Sequence, residues 1–145
     1  MIRSTRHSPP ASVERQALRR RVRRMYDWFD EGRWEKCFSL VDPKLREQSR
    51  VQLPTYAAGM QAFKEAYGTV HPWMVRISLH LDESPARQDM RQFAYVYVIW
   101  QDDAKRFHMF QERWVKDSDR WFTRVAGLVP AREDASGPSK PAMPR

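Results

Sequence analysis

His108 and Glu112 are the two side chains in this sequence whose types and spacing best suit proton transfer. They stand four residues apart in the segment FHMFQERWVK, 107–116, so a strand would place both on one face with Phe110 between them. A histidine and a carboxyl group in an apolar setting can move protons to and from a bound molecule. Because four residues of strand span about 13 Å, the pair would need a substrate or another strand between its members. An outward or cross-strand-paired polar face is the simpler interpretation.

Further side chains that join an apolar body to a polar or polarisable atom are candidates for lining an internal pocket. With His108 and Glu112, the candidate pocket residues are Tyr26, Tyr56, Met60, His80, Tyr97 and Trp114. Buried tyrosines serve more often as amphipathic core residues than as oxyanion donors, and methionine commonly fills core or pocket space. We therefore assign no residue a catalytic role from the sequence.

The sequence contains no recognisable metal or cofactor motif. His71 and His80 lack a partner at a metal-ligand spacing. Cys37 is the only cysteine, which rules out an intrachain disulfide and Cys-x-x-Cys spacings. No Gly-rich phosphate loop, nucleophile elbow or His-Glu-x-x-His helix is present. We predict no metal and no cofactor, and we interpret Cys37 as an inert buried thiol on the inner side of a helix.

Five arginines fall within six positions of the segment QALRRRVRRMYDWFDEG, 16–32. On a helix of about 100° per residue, one side forms an apolar stripe of Leu18, Val22, Met25 and Phe29. The opposite half carries the charged residues Arg19, Arg20, Arg23, Arg24, Asp27, Asp30 and Glu31. Arg21 falls at the edge of the stripe, where its stem can lie along the core while its head reaches water.

The acids on that charged half partly cancel the arginines, since Asp27 is within one turn of Arg23 and Arg24. A nucleic-acid-binding stripe needs more uncancelled charge and usually aromatic platforms beside it. We therefore interpret the run as the solvated side of an amphipathic helix. Weak polyanion binding through Arg19, Arg20, Arg23 and Arg24 remains the alternative.

Helical patterns occupy the first half of the chain. The first helix is predicted to begin with Ser12 as its N-cap and to end at Gly32. The segment RWEKCFSLV, 33–41, predicts a second helix, and Asp42-Pro43 predicts the start of a short third one. A fourth helix is predicted from Leu53 and Pro54, with Gly68 ending it.

The period then changes from helical to alternating. Strands are predicted at 73–81, 93–100, 107–116 and 120–129, joined by short turns that favour an antiparallel meander. Helices followed by strands indicate the α+β class, with the N-terminal helices packed in a curved, mainly antiparallel sheet of four or more strands. The segment FAYVYVIW, 93–100, is apolar on both faces, which predicts a central strand covered on both sides.

The chain of 145 residues is expected to form one domain over 12–129, between a disordered tail at 1–11 and a disordered Pro-rich tail at 130–145. Its net charge of +8 does not by itself identify a partner. No stretch has the length and apolarity of a membrane span, and the start lacks the apolar centre of a signal peptide. We expect a cytoplasmic protein.

The stretch MYDWFDEGRWEKCFSLVDPKLR, 25–46, together with the ending QERWVKDSDRWFTRVAG, 111–127, resembles the nuclear transport factor 2-like superfamily. That superfamily includes SnoaL-like cyclases, ketosteroid isomerases and scytalone dehydratase. The resemblance covers roughly residues 13–129 and implies a cystatin-like cone with an internal pocket and, in many members, dimers through the outer sheet face. The acid and tyrosine set of the isomerase branch has no match here.

Two functions follow as expectations. The first is a non-catalytic module that binds a small apolar ligand in its pocket, forms a homodimer through the outer sheet face, or does both. The second is a SnoaL-like isomerase, cyclase or dehydratase that acts by proton transfer on an apolar cyclic substrate. The resemblance shapes both, because fold alone does not determine activity.

Overall fold

The structure, a computed structural model, describes residues 10–48, 51–81 and 91–124. Within them, helices precede strands, as the sequence predicted. The helices are α1 (Ala11–Asp30), α2 (Trp34–Phe38), α3 (Pro43–Glu47) and α4 (Leu53–Tyr67). The strands are β1 (His71–His80), β2 (Phe93–Gln101), β3 (Phe107–Asp117) and β4 (Arg120–Thr123). The described chain is therefore α+β.

Helix α1 buries the predicted apolar stripe, since Leu18, Val22 and Phe29 are fully shielded from solvent. The predicted N-cap was wrong: the helix begins at Ala11 and its N-cap is Pro10, without a side-chain hydrogen bond. Pro10 fixes an extended backbone ahead of the first turn, so Ser12 lies inside the helix. The predicted end is confirmed, because Gly32 follows with a φ of 72°.

The predicted Asp42-Pro43 signal marks the start of α3. The Asp42 carboxylate accepts a hydrogen bond from the backbone N–H of Lys44 at 3.2 Å and so caps α3. The same carboxylate is fully buried and accepts hydrogen bonds from Arg91 at 2.9 Å and from Arg124 at 2.7 Å. Burial alone raises the pKa of Asp42, but these donors lower it to about 2. One carboxylate thus ties α3 to the segment before β2 and to the end of β4.

The four strands form one antiparallel sheet in the order β1-β2-β3-β4, which confirms the meander. The register shifts between Pro72 and Met74, so Trp73 leaves the predicted alternation and its side chain is 64% exposed. From Val75 onward the alternation holds, with Val75 opposite Val98 and Ile77 opposite Val96.

The described helices pack on one face of this sheet, which we call the inner face. On β2 the inner face carries Ala94, Val96, Val98 and Trp100, all buried in the core with α1 and α4. The alternate residues of β2 form the outer face and are only partly buried: Phe93, Tyr95, Tyr97 and Ile99. The sheet is therefore apolar on both faces at β2 but covered by the described helices on one.

Several predictions fall on other parts of the chain. The tail predicted at 130–145, residues 1–9 of the N-terminal tail, the turn around 83–89 and the last part of the final strand, 125–129, lie outside the described residues. In the part of the chain that the structure describes, no helix combines the length and apolarity needed to cross a membrane.

Gly68 offers a direct test of how α4 ends. Its backbone has φ 81° and ψ −139°, a region open essentially to glycine alone. A Cβ built there would lie 2.0 Å from Oδ2 of Asp103. We expect Gly68→Ala to lower the free energy of unfolding by about 1–3 kcal/mol, as measured by urea denaturation.

Gly59→Ala is the matched control, because Gly59 lies inside α4 and a Cβ there meets nothing within 4 Å. Alanine in a helix interior stabilises relative to glycine by roughly 0.5–1 kcal/mol. Equal effects of the two substitutions would contradict this description of Gly68.

Candidate functional site

Glu112 is the polar centre of the protein interior. It lies on the inner face of β3, and its residue exposure is 2%. One carboxylate oxygen accepts a hydrogen bond from the hydroxyl of Tyr26 on α1, and the other accepts from the indole N–H of Trp114 at 2.8 Å. Both partners are themselves buried, so the carboxyl group is satisfied by protein and closed to solvent in this conformation.

The electrostatics of this cluster follow from its burial. Removal from water raises the pKa of Glu112, and the hydrogen bonds from Tyr26 and Trp114 oppose that shift without cancelling it. Burial, followed by the neighbouring Glu112 charge, raises the pKa of Tyr26 well above its ordinary value. Tyr26 therefore acts as a neutral hydrogen-bond donor to a carboxyl group that holds its proton more tightly than usual.

Other candidates from the sequence join the same interior. Tyr56 and Met60 of α4 are buried in the core cluster with Tyr26 and Trp114. Burial raises the pKa of the Tyr56 hydroxyl, and the nearby groups of Cys37 and Glu112 add to the shift. The structure thus brings Tyr26, Tyr56, Met60, Glu112 and Trp114 together.

Cys37 is buried beside this cluster, where its thiol lies 3.6 Å from the carbonyl oxygen of Met25. Burial, with a smaller contribution from Asp30, raises its pKa to about 12. A thiol with so high a pKa forms little thiolate at neutral pH and is a poor nucleophile, which agrees with the predicted inert role.

His108 lies on the inner face of β3 near the β2–β3 turn, not beside Glu112. Its Nε2 is 2.9 Å from Oδ2 of Asp102, a contact within the turn that the sequence analysis missed. Asp102 also accepts hydrogen bonds from the backbone N–H groups of Ala104 and Arg106. Burial raises the pKa of Asp102, but the hydrogen bond from His108 and those around Arg106 and Ala104 lower it to about 2.

The ring of His108 stacks on Trp100 with centroids 4.4 Å apart. Trp100 is 1% exposed, and its indole N–H has no hydrogen-bond partner within residues 10–48, 51–81 and 91–124. Phe110 stands between His108 and Glu112 and packs on both Trp100 and Tyr26. His108 and Glu112 are therefore separated by aromatic rings, as the position of Phe110 in the sequence suggested. The interpretation of Glu112 as part of an outward polar face was wrong, because its side chain is buried on the inner face.

Two pocket candidates lie on the opposite side of the sheet. Tyr97 pairs with Arg76 and Gln111 on the outer face. His80 is exposed there and stacks on Phe93 with centroids 4.7 Å apart. Because side chains alternate between the two faces along a strand and Val75 and Val96 lie on the inner face, His80 and Tyr97 lie on the outer face, away from the interior cluster.

An open cavity of about 340 Å³ lies between α1 and the β3–β4 turn. Its walls include four arginines, Arg20, Arg21, Arg24 and Arg120. The remaining lining residues are Ala17, Trp28, Leu40, Asp119 and Trp121. A helical wheel could place Arg20 and Arg24 on one side of α1, but it could not show that Arg120, about 100 residues later, would face them.

Only two of the four arginines considered for polyanion binding line this cavity. Arg20 and Arg24 line the cavity, whereas Arg19 donates a hydrogen bond to the carbonyl oxygen of Val75 at 3.4 Å. Arg23 is exposed and lies outside the cavity. The expected pairing with Asp27 is not formed in the described residues, where Arg24 lies over the ring of Trp28 instead, 5.5 Å from its centroid.

Among the described residues, no group of three or more His, Cys, Asp and Glu side chains is arranged to hold a metal ion. The comparisons with protein-family models, curated proteins and solved structures found no match for this chain.

The buried proton of Glu112 predicts a specific pH dependence of stability. Unfolded chains ionise glutamate near pH ~4.3, whereas the folded protein holds this proton to higher pH because burial raises the pKa of Glu112. The stability due to the neutral carboxyl group is complete below the unfolded pKa and is lost as the pH rises through the folded pKa. Glu112→Gln cannot ionise, so wild type should lose stability relative to this variant as the pH rises from about 4.3 through the raised pKa of Glu112 in the folded protein.

Urea unfolding of both proteins across that range measures the difference. Glu47→Gln serves as control for the loss of a carboxylate, because Glu47 occupies an exposed position on α3. A wild-type minus Glu112→Gln difference that does not change with pH would refute the account of the buried carboxyl group.

Proposed function

We propose that the protein is a non-catalytic binding module of the nuclear transport factor 2-like superfamily that works as a homodimer through its outer sheet face. One observation carries the proposal. The described helices pack on the inner face, while Tyr95, Tyr97 and Ile99 form a partly exposed apolar row along the middle of the other. Contiguous exposed apolar surface of this kind marks interaction sites on monomeric proteins.

The size of the face suits a second copy of the same chain. Three strands of about nine residues present a surface of roughly 30 Å by 14 Å. Two such surfaces in contact, including the area of their protruding side chains, bury on the order of 1,000 Å² of accessible surface in total. This area lies near the lower bound for a specific interface. Apolar area also extends beyond β2, since Met74 is 38% exposed.

The chemistry of the face suits pairing about a two-fold axis. The apolar row is flanked by Arg76 on β1 and Arg113 on β3. Arg113 already lies over an aromatic ring, 4.7 Å from the centroid of Phe93. In a two-fold pair, each arginine meets the aromatic row of the other copy, where cation–π contacts compensate for the loss of water.

An exposed aromatic pair extends this surface at one end. Trp73 and Phe107 are 64% and 51% exposed, and their ring centroids are 5.5 Å apart. Aromatic anchors of this size contribute strongly when an interface desolvates them. Their exposure in the single chain therefore supports a role for this end of the sheet in association.

Superfamily membership is supported by the order of helices and strands and by the antiparallel meander. A cone-like pocket for a small apolar ligand would have to form around the Glu112 cluster, which is packed with side chains here. A cytoplasmic location is also proposed, because the chain has a single cysteine and so forms no intrachain disulfide.

The runner-up is a SnoaL-like isomerase, cyclase or dehydratase. A carboxyl group of raised pKa that accepts from a tyrosine is a suitable acid–base pair, and Glu112 with Tyr26 has that arrangement. Against this function stands the burial of both groups, which leaves no room for a substrate in the described conformation. The non-catalytic function is therefore the one we favour.

The homodimer is tested by placing a charge in the apolar row. Wild type should sediment as a dimer at micromolar concentration, and Tyr97→Glu should raise the dimer dissociation constant at least about tenfold, because the interface would bury an unpaired carboxylate. Sedimentation equilibrium measures both constants.

Ala58→Glu is the matched control, since it adds the same charge at an exposed position on α4. It should leave the dimer intact. A wild-type protein that stays monomeric at 100 µM, or equal weakening by both substitutions, would contradict the proposed interface.

A further inference from the structure

We propose that the cavity between α1 and the β3–β4 turn is a binding site for a small phosphate monoester that carries an aromatic or other apolar group. The site is distinct from the proposed dimer surface, since its walls come from α1, Leu40 and the start of β4. Four features of the cavity limit the chemistry of the ligand.

The first limit is charge. Four arginines line the cavity, and Asp119 is the one acidic residue among its lining residues. None of the four arginines forms an ion pair in the part of the chain that the structure describes; Arg21 and Arg24 are engaged by a carbonyl oxygen and an indole ring. The cavity therefore has an excess of about three positive charges.

Glu14 lies outside the lining but contacts the lining residue Trp121. Its carboxylate accepts a hydrogen bond from the indole N–H of Trp121 at 3.1 Å and forms an ion pair with Lys116. The charge of Glu14 is thus paired with a lysine and not with one of the four lining arginines.

The second limit is the fixed position of Arg21. Its Nε donates a hydrogen bond of 2.7 Å to the carbonyl oxygen of Trp121, and its guanidinium lies 5.0 Å from the centroid of Phe122. Only one of the five guanidinium N–H donors is used in this hydrogen bond. Burial, and then the charges of Arg120 and Arg24, lower the pKa of Arg21. The positive groups repel one another, and a bound anion would relieve that repulsion.

The third limit is the match between ligand charge and site charge. A carboxylate supplies one negative charge, whereas a phosphate monoester supplies nearly two at neutral pH together with three acceptor oxygens. Planar guanidinium groups bind phosphate oxygens in pairs. A phosphate group therefore fits the net charge of the cavity better than a single carboxylate.

The fourth limit is the apolar wall. Trp28, Leu40, Ala17 and Trp121 line the cavity beside the arginines. A volume of about 340 Å³ lies at the lower end of the range for small-molecule sites. It suits one ring or a short apolar group attached to the phosphate.

The same geometry disfavours a nucleic-acid backbone. The arginines converge on a cavity, whereas a stripe along α1 would need Arg19 and Arg23 as well. Arg19 is directed to the carbonyl oxygen of Val75, and Arg23 lies outside the cavity. A concave cluster recognises a compact anion, while an extended stripe follows successive phosphates.

Isothermal titration calorimetry with phenyl phosphate at about 50 mM NaCl tests the proposal. We expect a dissociation constant below about 1 mM for wild type. Arg120→Ala should weaken binding at least about tenfold, because a charge-assisted phosphate contact is lost. Arg23→Ala, which removes an equal charge from α1 outside the cavity, should change the constant less than about twofold.

Arg24→Ala is a second variant, because its side chain lines the cavity from the helix and not from the turn. It should also lose affinity, and thermal melting confirms that each variant is folded. Phenyl phosphate should raise the melting temperature of wild type more than that of Arg120→Ala at the same concentration. Benzoate and inorganic phosphate should each bind more weakly than phenyl phosphate.

Three results would overturn the proposal. The first is the absence of binding to folded wild type at 10 mM phenyl phosphate. The second is an equal loss of affinity in Arg23→Ala and Arg120→Ala, which would indicate general charge attraction. The third is tighter binding of a single-stranded oligonucleotide that depends equally on Arg19, Arg20, Arg23 and Arg24, which would identify a nucleic-acid surface instead.

Discussion

The docking of α1 against the sheet is the interaction on which the rest of the structure depends. In the C-terminal half of α1, the hydroxyl of Tyr26 donates a hydrogen bond to the buried carboxyl group of Glu112. Near its start, Glu14 accepts from the indole N–H of Trp121. Between them, Arg21 donates to the carbonyl oxygen of Trp121. A buried polar group without its partner is costly, so these contacts hold the helix at one rotation and one register on the inner face.

That fixed rotation determines what the other surfaces can do. With the apolar stripe of α1 on the inner face, Arg20 and Arg24 stand beside the β3–β4 turn and meet Arg120. The described helices then lie on one side of the sheet, and the apolar row of β2 lies on the other. The proposed dimer surface and the arginine cavity are therefore both consequences of how α1 packs on the inner face.

Local patterns predicted most of the described elements, because they depend on neighbours in the sequence. The apolar stripe from Leu18 to Phe29, the Asp42 cap and the glycine at 68 each act within a turn or two. The bulge that exposes Trp73 depends on how β1 pairs with β2. The position of Arg120 depends on how β4 packs near α1. Neither contact can be predicted from the hydrophobic period of a single segment. The sequence analysis placed His108 and Glu112 on one strand face, but it missed Asp102, because turn geometry brings that carboxylate within 2.9 Å of the His108 ring.

The most direct test of this account is an NMR titration of the Glu112 side-chain carboxyl carbon in wild type and in Tyr26→Phe. Burial against α1 predicts a midpoint above that of glutamate in an unfolded peptide. Loss of the tyrosine donor predicts a further increase, because the hydrogen bond favours the ionised form. Tyr56→Phe, which keeps that donor, should leave the midpoint near the wild-type value. A wild-type midpoint at the ordinary value for glutamate, unmoved by Tyr26→Phe, would mean that α1 does not dock on the sheet as described.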